Sequence, residues 1–288
     1  MVDMATIKSL SESFGVLKRN LVVFAVGLLY AVIILPQTAA SLFGIPIIPR
    51  VLQFLTFFIT PFILAGLLGM TYEGRVRDTS FGTFTKIGKA KYVSLLAGNL
   101  IRTLITVVFA VVGFVALLFT VGLGVSAAQG GSDVGSSVLS GIGVAAIALF
   151  GGLVLVYLLV MFFLQFFAPA IVADNVGVVD GYKRSMGVVK RNIVQTLGFG
   201  VLNLLVSILL LLPAIGVVLL TFVGTSGLES AGISGVDSAA QTAGSGNLPM
   251  LALVGVLGYS FITTTLVTPF RAAFSVSFYD NHRPSDWN

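Results

Sequence analysis

The chain has 288 residues, of which 57% are hydrophobic and only 9% charged, with a mean hydropathy of +1.06 and a formal net charge of +5. A soluble domain carries roughly 25% charged residues, so a chain with this little charge cannot cover its surface in water. A soluble enzyme, a disordered segment and a fibrous protein are excluded, and an integral membrane protein is left. There is no cysteine and a single histidine, His282, so disulfides, thiolate nucleophiles and iron–sulfur clusters are ruled out and no cofactor is expected.

A membrane-spanning helix needs about 20 apolar residues. Before the first such run, Ile7, Leu10, Phe14 and Leu17 recur at helical spacing and Lys18-Arg19-Asn20 follow. This predicts a short amphipathic helix with a basic end, of the kind that lies in a membrane interface. The first span is expected over 21–42. Its basic lead-in and the Thr38-Ala39-Ala40 after it imitate a signal peptide, but its full spanning length favours a retained helix. The second is expected over 51–72 and contains Thr60-Pro61-Phe62. The third, over 92–125, follows Phe81, Phe84 and Ile87 interleaved with Lys86, Lys89 and Lys91, a divergent version of the same lead-in. The fourth, over 138–173, reads as one helix, with Gly151-Gly152 its only weak point and Ala168-Pro169-Ala170 near its end. Then Val179, Tyr182, Met186 and Val189 repeat the stripe, and Lys190-Arg191-Asn192 repeats the ending, ahead of a fifth span over 193–223. The sixth, over 250–279, contains Thr268-Pro269-Phe270. Pro61, Pro169 and Pro269 each remove a backbone donor and are expected to kink their helices.

The chain is self-similar. Ser13-Phe14-Gly15-Val16-Leu17-Lys18-Arg19-Asn20 and Ser185-Met186-Gly187-Val188-Val189-Lys190-Arg191-Asn192 agree at six of eight positions, at an offset of 172. The predicted fold is therefore an all-α bundle of six transmembrane helices in a single domain, built as three parallel hairpin repeats (about 5–75, 78–175 and 176–282). Each repeat is introduced by an interfacial elbow helix, and the repeats are related by an axis along the membrane normal.

Lysine and arginine set the orientation. They cluster before the first span, between the second and third (Arg75, Arg77, Lys86, Lys89, Lys91) and between the fourth and fifth (Lys183, Arg184, Lys190, Arg191). The alternate loops at 126–137 and 224–249 hold none. Both termini and the elbows are expected on the cytoplasmic side of a cell membrane.

Polar residues inside a membrane default to functional hypotheses. Arg102 lies about ten residues into the third run with Asn99 one turn earlier, and Asn203 is equally deep in the fifth. Two readings stay open. Arg102 snorkels along its stem, or Asn99, Arg102 and Asn203 form a cluster between helices for an anionic lipid or substrate group. The carboxylates Glu73, Asp78, Asp174, Asp180 and Asp280 are expected to cap helices and to pair with Arg75, Arg77, Lys183, Arg184 and Arg271. The functional alternative is a site of alternating acids and bases that recognises lipid headgroups.

One stretch carries a resemblance. Pro169-Ala170-Ile171-Val172-Ala173-Asp174-Asn175, then Gly177, Tyr182-x-x-Ser185 and Lys190-x-Asn192, resembles the membrane domain found beside some glycerophosphodiester phosphodiesterases and alone in six-span prokaryotic proteins. The resemblance implies a six-helix fold and, for stand-alone members, no established activity. The phosphodiesterase half is a soluble barrel with catalytic His and carboxylates. Nothing here matches it, and His282-Arg283-Pro284 lies in a tail too short to hold a domain, so no catalytic residue carries over. The expected function is non-enzymatic: a membrane scaffold or lipid-interacting assembly protein whose partners are membrane lipids and another membrane protein, with no nucleic acid. The alternative is a transporter or channel for a small or lipidic solute.

Overall fold

The computed structural model describes residues 4–129, 133–226 and 250–284, and every regular element among them is an α-helix. Six stretches are long and apolar enough to cross a bilayer: Val22–Leu42, Ile48–Glu73, Phe81–Phe119, Ala148–Ala173, Ile193–Leu210 and Leu253–His282. The chain is a multi-pass helical membrane protein. The lysine-free stretches 130–132 and 227–249 lie outside the described residues.

Helix α1 (Met4–Arg19) leads into α2 (Val22–Leu42), which returns as α3 (Ile48–Glu73). Later, α7 (Val178–Arg191) leads into α8 (Ile193–Ser226) and the return helix α9 (Met250–His282). The two elbows end by the same device. The Asn20 amide donates to Val16 O at 3.1 Å and to Gly74 O at 3.3 Å. The Asn192 amide donates to Val188 O at 3.0 Å and to His282 O at 3.3 Å. At the offset that lays Thr60-Pro61-Phe62 on Thr268-Pro269-Phe270, Gly74 falls on His282. Each asparagine thus adds a second donor to a carbonyl that its own backbone N–H already meets, and clasps the end of the return helix, where unpaired carbonyls need a donor.

The faces of the elbows correspond as well. Ser9 and Gly181, Ser13 and Ser185, Val16 and Val188, Leu17 and Val189 are buried, while Ile7 and Val179, Phe14 and Met186, Lys18 and Lys190 are exposed. The apolar stripe expected to lie against headgroups is therefore divided. Small residues permit close helix approach, so Thr6, Ser9 and Ser13 are buried in the bundle. Ile7 and Phe14 face outward, with Phe14 also meeting Phe270 of α9 at 5.3 Å between ring centroids.

The middle repeat departs from this plan. Its lead-in is not a separate elbow, because α4 (Phe81–Gln129) is continuous through Lys91 and Tyr92. No asparagine or glycine interrupts the junction, and Lys89-Ala90-Lys91 are good helix formers. Its apolar stripe packs on protein. A Cβ at Gly66 would stand 2.7 Å from the Phe84 carbonyl oxygen, and one at Gly69 would stand 2.6 Å from Ile87 Cγ2, so the glycines of α3 receive Phe84 and Ile87 directly.

The fourth span is not one helix. It is broken at Gln165-Phe166 into α5 (Asp133–Leu164) and α6 (Phe167–Ala173), and it runs unbroken through Gly151-Gly152. Pro169 therefore does not kink a continuous helix. It sits in the first turn of α6, where a missing N–H leaves no acceptor unpaired. The break itself is stitched by Ser185 of α7, whose hydroxyl accepts from Phe166 N at 3.0 Å and donates to Phe163 O at 2.8 Å. Unpaired backbone groups at membrane depth are costly, so irregular backbone there must be re-satisfied by protein. Pro61 and Pro269 lie inside α3 and α9.

Helix α9 is the hub of the bundle, packing on α1, α2, α3, α6 and α8. Its lower half carries the aromatic core: Phe278 stacks on Phe166 at 5.0 Å, and Phe199 meets Phe274 at 4.5 Å and Phe278 at 4.9 Å.

A candidate functional site at the elbow end

The elbows meet the ends of α3, α6 and α9 at one end of the bundle, and the charges collect there. Glu12 of α1 pairs with Arg75 at 3.1 Å, and Arg75 also pairs with Asp280. Asp280 pairs with Arg283 at 2.8 Å, Arg283 with Asp174 at 2.5 Å, and Asp174 with Arg184 of α7 at 2.6 Å. Three acids and three arginines alternate along this chain of contacts, and the exposed Lys8 adds a long contact to Glu12 at 3.9 Å.

The Asp174 side chain has no solvent exposure, and the Tyr279 hydroxyl donates to it as well. Its hydrogen bond holds the Arg184 guanidinium above the ordinary arginine range. Arg283 lies over the Tyr72 ring, 6.0 Å from its centroid. The Asn281 amide donates to Glu12 at 2.8 Å and to Ser9 at 3.0 Å, while its oxygen accepts from Arg75 at 3.0 Å. Low local dielectric strengthens such a network when every member is satisfied.

The Pro-Ala-Ile-Val-Ala-Asp-Asn stretch is what builds this end. Ala170 and Ile171 are fully buried, and Asp174 ends α6. Asn175 takes a left-handed conformation with φ of 54°, which asparagine tolerates better than most side chains. Gly177, extended, then starts α7. The Tyr182 hydroxyl donates to Gly98 O at 2.7 Å, tying α7 to α4. Asp174, Asn175, Gly177, Tyr182 and Ser185 thus have structural tasks around the turn from α6 into α7.

Beside the charge chain lies a cleft of about 590 Å³ between the end of α3 and the start of α4, lined by Tyr72, Glu73, Arg75, Arg77, Lys86 and Asp280, among others. Glu73 is satisfied within it: Thr79 donates to it at 3.0 Å, Arg77 Nε at 2.8 Å, and the Thr83 hydroxyl closes the set. Lys86 has no ion pair among the described residues.

The intramembrane polar residues are placed differently from the cluster reading. Among the described residues no hydrogen bond or ion pair joins Asn99, Arg102 and Asn203; the Asn203 amide donates to Phe199 O of its own helix at 3.2 Å. Arg102 is exposed, one turn beyond Gly98, to which the elbow α7 is tied. Among the described residues Arg271 pairs with no carboxylate, and it donates to Ser207 Oγ at 2.7 Å. Asp180 pairs locally with Lys183 at 3.6 Å, and Asp78 is exposed. Arg19 reaches the Gly74 carbonyl, whereas Lys18, Lys190 and Arg191 are exposed at the elbow ends. Glu12 and Arg283, both members of the charge chain, carry no local signal of that role in the sequence, since their partners are remote.

Residues 4–282 match a family described as a domain of unknown function, DUF7847. The chain belongs to that family. No curated protein and no solved structure matches it. The DUF7847 match spans both elbows and every member of the charge chain except Arg283, and its description carries no activity and no link to phosphodiesterase-associated domains.

Proposed function

We propose that this DUF7847 protein is a non-enzymatic scaffold of the cell membrane, with both termini and the elbow end in the cytoplasm, that contacts lipids and assembles with another membrane protein. The observation that carries the reading is the closed elbow end. Buried aromatic rings of Phe166 at the α5–α6 break, of α8 and of α9 lie beside a chain of ion pairs with a fully buried carboxylate. A solute taking a path through this layer would have to separate Asp174 from Arg184 and Arg283, and breaking a pair with a buried partner is strongly unfavourable. Fixed, mutually paired groups suit a platform. The basic residues at the elbow ends support the cytoplasmic orientation, and each lysine near an anionic leaflet adds roughly 1 kcal/mol of attraction. The likeness of the 169–192 stretch to the phosphodiesterase-associated membrane domain belongs to this reading, because the motif here builds an elbow and holds no reacting group.

The alternative, a transporter or channel, is favoured by one observation, the 590 Å³ cleft at the elbow end. Flux decides between the two. The protein reconstituted into vesicles is expected to release encapsulated ions and small solutes, and to exchange labelled lipids between leaflets, no faster than protein-free vesicles. Release or exchange that rises with protein content would replace the scaffold with the transport reading.

A further inference from the structure

A second cavity, of about 490 Å³, opens on the lipid-facing side between the first and last hairpins. Its walls are apolar: Phe14 and Leu17 of α1, Phe24 of α2, Leu209 of α8, Leu266 and Phe270 of α9. Lys18 is the one charged residue lining it, and it has no ion pair among the described residues. Lys18 stands at the elbow end of the groove, one position before the end of α1, while Leu209 and Leu266 lie farther along the spans. A groove at this depth meets hydrocarbon, and an apolar void with no partner atoms forfeits its dispersion contacts. It offers no polar wall to hold water.

We propose that this groove is a binding site for one phospholipid with a net negative headgroup, its acyl chain lying along Phe24, Leu209 and Leu266 and its phosphate at the Lys18 ammonium. Charge complementarity selects the occupant: a zwitterionic lipid fills the groove equally well but leaves the lysine without a net countercharge. The site rests on the lipid-contact reading above and gives it an address and a headgroup class. The internal resemblance supplies the control, because Lys190 is the counterpart of Lys18 in α7 and is likewise exposed, yet no α7 residue lines this groove.

The test uses the full chain reconstituted in vesicles of equal parts dioleoyl phosphatidylglycerol and dioleoyl phosphatidylcholine, extracted gently and read by native mass spectrometry. Wild-type protein is expected to retain one lipid, enriched in phosphatidylglycerol. Lys18→Ala should lower that enrichment about fivefold, the change for one basic side chain at the surface, and Lys190→Ala should leave it unchanged. Leu209→Trp, at a lipid-exposed position, should fill the groove and reduce retention of both lipids. Retained lipid that responds to neither Lys18→Ala nor Leu209→Trp, or equally to both lysine variants, overturns the site while leaving lipid contact standing. A dimer or a foreign helix in place of lipid overturns it too. Wild-type protein that retains no lipid removes the lipid-contact reading itself.

Discussion

Replacing Asp174 with alanine is expected to destabilise the folded protein by about 3–5 kcal/mol, the range for removing one partner from a buried ion pair. Asp174 is completely buried and receives Arg184 at 2.6 Å, Arg283 at 2.5 Å and the Tyr279 hydroxyl. Without it, Arg184 and Arg283, 23% and 14% exposed, lose the carboxylate they share, and Arg283 is left with Asp280 as its carboxylate partner. The turn that joins α6 to α7 loses its anchor at the same time. The contrast is Arg77→Ala, which breaks a pair with Glu73 whose arginine is 76% exposed. Solvent screening limits such a pair to about 0.5 kcal/mol. Thermal unfolding in detergent, followed by circular dichroism, should show a large fall in Tm for the first variant and almost none for the second. Equal and small effects would mean that the charge chain is decoration on a fold held by its apolar core alone.

Gly27→Leu is expected to prevent α2 from docking on α9 and to leave little monodisperse protein. A Cβ at Gly27 would run into the backbone carbonyl oxygen of Thr265 and stand 2.7 Å from Pro269 Cγ, neither of which is the mobile tip of a side chain. Overpacking typically costs about 1–3 kcal/mol, and more where backbone must move, so Gly27→Ala should already lower Tm and leucine should exceed what the fold tolerates. Gly200→Ala in α8 is the control, with nothing within 4 Å of its Cβ position. A helical glycine exchanged for alanine without a clash gains about 0.5–1 kcal/mol, so this variant should be neutral or slightly stabilised. A well-folded Gly27→Leu protein would show that the α2–α9 contact is looser than the structure has it.

The length of the apolar runs makes the six spans legible in the sequence, and the 3.6-residue period with its asparagine ending makes both separate elbows legible there too. What escaped depends on partners far away in the chain. No charge or turn residue marks the break at Gln165-Phe166, and the hydroxyl that makes it tolerable belongs to Ser185 on the next helix. Pro169 signalled irregularity, but a kink and a break look alike in sequence. The stripe of Phe84 and Ile87 read as a third elbow because the glycines that receive it, Gly66 and Gly69, lie in another helix. Arg102 stands one turn beyond Gly98, where Tyr182 of α7 is tied to α4, and that neighbourhood depends on a contact between remote helices. The elements of the charge chain could be named singly, as caps and local pairs. Their assembly joins Glu12 to Arg283 through contacts that sequence spacing does not encode. The small-residue face of α1 is hidden in the sequence for a different reason: Thr6, Ser9 and Ser13 are polar by composition, and only their size fits them for the packed side.

The sidedness of the elbow end bears most directly on the account, because a scaffold that offers its basic elbows to an anionic leaflet requires that end to be cytoplasmic. The chain has no cysteine, so each introduced thiol reports one place. Ser80, exposed before α4, marks the elbow end. Ser132 and Ser230, outside the described residues, fall in the stretches that carry no lysine or arginine. In intact cells a membrane-impermeant maleimide should label Ser132→Cys and Ser230→Cys, and it should label Ser80→Cys only after permeabilisation. Labelling of Ser80→Cys in intact cells, with the other two protected, would place the elbow end outside and contradict the account.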